Sequence, residues 1–144
     1  MKIAIGSDHA GFKLKEEIKN YLEEKNIEVD DCGTYSDERC AYPDFGHKVG
    51  HKVANKDANF GIVICGSGIG ISISANKVKN IRAALCSEPV SARLARNHND
   101  ANILAMGARL IGPDMAKAIV DAFLKADFEG GRHINRVNKI EEDI

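Results

Sequence analysis

The segment Cys65-Gly66-Ser67-Gly68-Ile69-Gly70 is the densest chemistry in this chain. Glycines at alternate positions let backbone N–H groups converge on one point. The apolar run before them, residues 60–65 (FGIVIC), reads as a buried strand, and residues from 69 to about 79 read as a helix. A helix N-terminus adds positive potential to converging N–H groups. On its own chemistry the loop is therefore an anion cradle or, without a ligand, a tight strand-to-helix turn. It is not a P-loop, because no Gly-Lys-Ser/Thr follows. It also lacks the G-x-G-x-x-G spacing and the first-strand position of a dinucleotide fingerprint. Cys65 stands where the strand ends. A thiol facing a helix N-terminus is biased toward thiolate and can act as nucleophile or general base. No histidine or lysine lies beside it in the sequence, so His98 is the candidate to reach it in space.

Other polar groups could share that chemistry. Asp8-His9 follow the first apolar run, where a carboxylate could bind hydroxyls or orient an imidazole. The same pair would also serve as a helix cap and an exposed histidine. His98-Asn99-Asp100 is similarly polar, and equally resembles a plain Asn/Asp turn. Arg132 and Arg136 are four apart, which on a helix puts both guanidinium groups on one face. Such forks suit phosphate oxygens, although a solvated basic face has the same spacing. His47 and His51 are also four apart but lack the glutamate of H-E-x-x-H, so they are expected on the surface and no metal is expected.

The elements that must position these groups alternate along the chain. Residues 2–6 read as a strand, and Phe12, Leu14, Ile18, Tyr21 and Leu22 recur at helical spacing over about 11–25. Residues 27–32 form a second strand and 33–44 a turn-rich segment, with Asp44 capping a helix to about 55. After the 60–65 strand and the helix behind the glycine loop come a strand over 82–86 and a helix opened by Ser87 or Ser91. A fifth strand covers 102–106. Pro113 suits the first turn of a helix continuing through about 124, and a last helix starts near 135 beyond Gly130-Gly131. This alternation predicts one three-layer α/β/α Rossmann-like domain over 1–144, with a five-stranded parallel sheet. Ligands in such folds bind beyond the carboxyl ends of the strands. That directs attention to Asp8-His9, Gly66-Ser67-Gly68, Ser87-Glu88 and Gly107-Ala108-Arg109.

Composition sets outer bounds. The 144 residues are 44% hydrophobic and 28% charged with a formal net charge of -1, which gives no nucleic-acid footprint and no polybasic membrane anchor. No apolar run is long enough to span a bilayer. The N-terminus turns polar too quickly for a signal peptide, so the expected location is cytoplasmic. Cys32, Cys40, Cys65 and Cys86 form no C-x-x-C pair, and each is expected first as a small buried hydrophobe rather than in a disulfide or zinc site.

Taken in order, the motifs resemble the B-type ribose-5-phosphate isomerases, grouped with the galactose-6-phosphate and allose-6-phosphate isomerases. The resemblance runs from residue 2 to about 137. It rests on Ile5-Gly6-Ser7-Asp8-His9-Ala10-Gly11-Phe12, Tyr42-Pro43-Asp44, the glycine loop from Ile64 to Ser72, Cys86-Ser87-Glu88, Arg96-Asn97-His98-Asn99-Asp100, Glu129-Gly130-Gly131-Arg132-His133, and Arg136. It implies interconversion of D-ribose 5-phosphate and D-ribulose 5-phosphate through a cis-enediolate, in the non-oxidative branch of the pentose phosphate pathway, without cofactor or metal. In that family a cysteine matching Cys65 is the base. The resemblance implies that Ser67 and the loop N–H groups of Gly66, Gly68, Ile69 and Gly70 face the reacting oxygens, and that His98 opens the furanose ring with help from Asp8 and Tyr42. It further implies that Asp8, His9 and Asn99 hold hydroxyls, and that Arg132 and Arg136 clamp the phosphate, with Arg109 assisting. The family forms homodimers or dimers of dimers with shared sites, so His98, Asn99 and Arg109 are expected from a partner chain, on which the C-terminal helix packs. Ser67 departs from the threonine common in the family, keeping the hydroxyl and losing a methyl. The neighbouring substrates, allose and galactose 6-phosphates, stay open as alternatives. So does a flavodoxin-like nucleotide-binding module, which leaves Cys65, His98 and the arginines unused.

Overall fold

Strand and helix alternate from the first residues onward. The computed structural model describes residues 1–142. It contains β1 (Lys2–Ser7), α1 (Phe12–Glu24), β2 (Glu28–Asp31), α2 (Tyr42–Ala54), β3 (Phe60–Cys65), α3 (Ile69–Asn76), β4 (Ala83–Leu85), α4 (Pro89–Asn99), β5 (Ile103–Gly107), α5 (Pro113–Lys125) and α6 (His133–Ile140). The five strands form one parallel sheet in the order β2-β1-β3-β5-β4.

That order decides which face each helix covers. The steps β1 to β2 and β4 to β5 run one way across the sheet, and β2 to β3 and β3 to β4 run the other. Crossovers between parallel strands are right-handed, so α1 and α4 must share one face, and α2 and α3 the other. The cores agree. Ile18 and Leu22 of α1, Ala92 of α4 and Phe123 of α5 pack on Ile5, Ile62 and Leu104. Val49 of α2 and Ile71 of α3 pack on the intervening strand residues Ala4, Val63 and Ala105. Successive strand residues point to opposite faces, as the pleat requires. The direction reverses between β1 and β3, which opens a crevice at their carboxyl ends.

Helix starts differ most from the sequence reading. All three prolines stand in first turns, at α2, α4 and α5, where the missing N–H costs nothing. Pro43 therefore opens α2 at Tyr42, and Asp44 lies inside the first turn rather than capping it. Glu88, not Ser87 or Ser91, caps α4; its carboxylate accepts the N–H groups of Val90 and Ser91 at 2.7 and 2.9 Å. α3 ends at Asn76, three residues early, and α6 starts at His133 rather than near 135.

A buried ion pair fixes the edge of the sheet beside the crevice. Lys15 is wholly buried, and its ammonium donates to both Asp31 oxygens at 2.7 and 2.8 Å and to Glu16 at 3.0 Å. Asp31 also accepts the Gly33 N–H at 2.9 Å. Gly33 and Thr34 in turn pair with the Ser7 backbone, next to Asp8. Burial pushes the Asp31 carboxyl upward, but the Lys15 ammonium and Gly33 N–H outweigh it and hold the group below the usual carboxylate range. Removing one partner of a buried pair leaves the other uncompensated, typically at about 3–5 kcal/mol. Lys19 also reaches Asp31, at 3.2 Å, so the lower end applies here. Lys15→Met is expected to lower Tm by roughly 10 °C at neutral pH. A depressed carboxyl contributes stability above its unfolded value, about 3.9, and loses it as the pH falls through its folded value. The gap between wild type and variant, read by thermal unfolding, should therefore narrow below about pH 4.

Candidate active site

The glycine loop closes the crevice end of β3. Gly68 takes a left-handed φ of 79°, which turns the chain back from strand into helix. That turn aims the Gly68 N–H at Cys65 Sγ, 3.2 Å away. The next N–H, from Ile69, donates to Ser67 Oγ at 3.2 Å. The Ser67 oxygen is thus already an acceptor, and its own proton is left to donate elsewhere. Gly70 lies under the Tyr42 ring, where an added Cβ would stand 2.5 Å from the ring. Any other residue at that position would displace Tyr42.

These groups line a cleft of about 560 Å³, with Asp8, Tyr42, Cys65, Gly66, Ser67, Ile69, Gly70 and Arg109 among its walls. Asp8 is buried beside the end of β3: its N–H donates to Ile64 O at 3.2 Å, and its Oδ1 accepts the Gly11 N–H at 3.1 Å. It therefore both holds the start of α1 and borders the cleft. His9 stands behind it, with Nδ1 accepting the Cys40 N–H at 3.3 Å. Gly68 is buried beneath the loop and holds its shape. Arg109, which follows β5 where the strand-end reading directed attention, lines this same cleft. Its N–H donates to Gly66 O at 2.9 Å, and a Cβ on Gly66 would stand 3.0 Å from its Nη1.

The other thiols are unlike Cys65 in setting. Burial, reinforced by Asp30, pushes Cys32 up to about 11, and burial with Glu88 nearby does the same to Cys86. Both stay thiols at neutral pH. Cys40 is half-buried, on the segment that leans on His9. His47 and His51 are exposed on α2.

The remaining site residues lie at the opposite end of the sheet's strands. α4 leaves the carboxyl edge after β4 and runs back, so His98 and Asn99 in its last turn reach the edge where β5 begins. Phe60 to Cys65 alone spans about 16 Å at strand rise. His98 therefore cannot touch Cys65 of its own chain. It stacks on His133, with ring centroids 4.6 Å apart and planes 14° apart. Glu129 Oε1 lies 3.7 Å from His98 Nε2 and 3.6 Å from His133 Nε2. Arg132 and Arg136 project into solvent on either side of the buried His133. Sequence reasoning named His133 only as the last residue of the Glu129-Gly130-Gly131-Arg132-His133 motif and gave it no role. Its pKa is pushed down by burial first, then by the Arg132 and His98 charges, with Glu129 acting the other way. The three ligand-type atoms of His98, Glu129 and His133 fall within 4.8 Å. Nearly parallel rings carry nearly parallel lone pairs, which cannot converge on one ion without turning a ring.

Two groups of candidate residues thus stand at opposite ends of the sheet's strands. Asp8, His9, Tyr42, Cys65–Gly70 and Arg109 occupy one, and His98, Asn99, Arg132 and Arg136 the other. Exposed apolar side chains flank both: Ile69, Ile73, Leu85 and Leu110 around the cleft, and Ile134 on α6. Among the described residues no helix is long and apolar enough to cross a membrane.

Residues 3–140 match the family model described as Ribose/Galactose Isomerase. The chain is 55% identical over 139 residues to the ribose-5-phosphate isomerase B of Escherichia coli K12, covering 96% of this chain and 93% of that protein. Its fold matches the ribose-5-phosphate isomerase B of Clostridium thermocellum with a TM-score of 0.98 and 56% identity, over 99% of this chain and 96% of the other. It also matches the Mycoplasma genitalium ribose-5-phosphate isomerase B solved with bound ribulose-5-phosphate, with a TM-score of 0.92 and 46% identity, over 96% and 93% of the two chains.

Proposed function

The chain belongs to the ribose/galactose isomerase family, and on that premise we propose that it interconverts D-ribose 5-phosphate and D-ribulose 5-phosphate, with Cys65 as the base. The observation that carries the reading is the Cys65 sulfur at the carboxyl end of β3, bonded by the Gly68 N–H and opening on a cleft walled by Asp8, Tyr42 and Ser67. Isomerisation removes a proton from C2 of the open-chain aldose and returns one to C1. The intermediate is an enediolate, and its developing oxyanion needs fixed donors. The Ser67 hydroxyl and the Gly70 N–H in the first turn of α3 supply them, the Ile69 N–H being taken by Ser67 Oγ. No metal or cofactor enters this scheme.

The substrate arrives mostly as a furanose, so a second acid–base group must open the ring. His98 takes that role, from a partner subunit. The chain acts as a homodimer, or as a dimer of such dimers, in which the cleft of one subunit receives His98, Asn99, Arg132 and Arg136 of the partner subunit. A two-fold axis makes this arrangement self-consistent, because each chain offers one half-site of each kind. The apolar residues around the cleft and on α6 are what such an interface would cover. The arginine forks then hold the phosphate at one end while the glycine loop faces C1 and C2, with Arg109 at the rim and Asp8, His9 and Asn99 on the hydroxyls. Phosphorylated sugars do not cross membranes unaided, which supports a cytoplasmic location.

A panel of ribose, allose and galactose phosphates tested after exhaustive chelation checks the substrate. Ribose 5-phosphate should give the highest kcat/KM. Arg132→Ala should raise KM about tenfold or more for the phosphorylated substrate, with little effect on any turnover of free ribose. Equal losses on both sugars would remove Arg132 from the phosphate clamp. Preference for a six-carbon phosphate would move the chain to the neighbouring activity of the same family.

A further inference from the structure

Glu129 is the residue of the second half-site for which the scheme above has no use. Its backbone N–H donates to Asn97 O at 3.0 Å, and Asn97 Nδ2 donates to Asp127 O at 2.7 Å. Residues 127–129 are thereby strapped to the last turn of α4, the turn that carries His98. Carboxylate and imidazole ride on one rigid unit. One oxygen of Glu129 lies within 4 Å of Nε2 on two stacked imidazoles. The two rings stack at a centroid distance of 4.6 Å, so the one carboxylate faces both at once.

We infer that Glu129 is a positioning residue for ring opening: it holds the His98 ring with Nε2 toward its carboxylate and so leaves Nδ1 free to exchange a proton with the sugar. The arrangement follows the logic by which a carboxylate fixes the tautomer and orientation of a catalytic imidazole. The groups facing Glu129 are His98 from α4 and His133 from α6, with Arg132 and Arg136 alongside. His133 is buried while the His98 side chain is 39% exposed, so His98 is the ring of the pair that a sugar can reach. The separations of 3.6–3.7 Å are ion-pair distances, and catalytic contacts of this kind shorten when substrate is bound.

The inference rests on the isomerase reading and can fail separately from it. Ribose 5-phosphate is a furanose and needs opening. Ribulose 5-phosphate cannot close to a furanose, because its O5 carries the phosphate. Its C1 proton should therefore exchange with solvent through Cys65 alone. Glu129 is more than half exposed, so Glu129→Gln should leave the fold and its melting temperature unchanged. The variant should lose tenfold or more in kcat on ribose 5-phosphate with KM little changed, while deuterium exchange into ribulose 5-phosphate in D2O stays within about twofold of wild type. A parallel fall in both rates would mean a merely structural role and would overturn the inference, as would no fall in either. Wild-type protein that catalyses neither process would overturn the isomerase reading itself.

Discussion

Cys65→Ala is expected to lose about three orders of magnitude or more in turnover of ribose 5-phosphate while keeping the fold. Cys65 carries the thiol at the end of β3, set between the Gly68 N–H and the cleft. Asp8 is tied to the Gly11 N–H, and Tyr42 lies across Gly70. Cys65 is buried on the α2–α3 face, where alanine is smaller and equally apolar, so the fold tolerates the change. Ring opening uses the other half-site, so the variant should still convert bound furanose to aldehyde. Stopped catalysis with intact folding and intact substrate affinity is the expected outcome, measured by turnover, thermal unfolding and ligand binding. Turnover within tenfold of wild type would remove Cys65 from the chemistry.

The second large effect is a gain. Cys65→Ala and His98→Ala chains, each inactive alone, should recover about a quarter of wild-type activity when co-expressed in equal amounts. Half of the resulting dimers are mixed, and in each mixed dimer one of two sites receives Cys65 from one chain and His98 from the other. The motivation is the geometry of a single chain, which holds these residues at opposite ends of the sheet's strands. Differently tagged chains, purified through both tags, would isolate the mixed dimer and should show half of the wild-type rate. Mixed dimers without activity would contradict a site shared between subunits.

Much of this was legible in the sequence. Residues 60–65 read as a strand because they are apolar on both faces, and the structure gives the same limits. The reading that brought His98 to Cys65 in space fails within one chain, because the end of a crossover helix lies where the next strand begins. Other features needed the third dimension. Glu88 caps α4 although serines stand on either side of it, because Pro89 sets the chain direction that brings its carboxylate to the Val90 and Ser91 N–H groups. The strand-end position of Arg109 was legible, but its contact was not: the turn at Gly107 folds it back over Gly66. Lys15 is wholly buried on Asp31, a contact across sixteen residues that no local pattern signals. Nothing in the spacing of His133 pairs it with His98, and only packing of α6 against α4 stacks the two rings.

The most direct test of a Cys65-based enediolate reaction is a proton NMR time course of ribose 5-phosphate with the chelated wild-type protein in D2O. The account predicts ribulose 5-phosphate carrying solvent deuterium at C1, and slower washout of the C2 proton from remaining ribose 5-phosphate, with both signals absent for Cys65→Ala. Ribulose 5-phosphate that forms with the C2 hydrogen delivered intact to C1, and no deuterium after many turnovers, would contradict it.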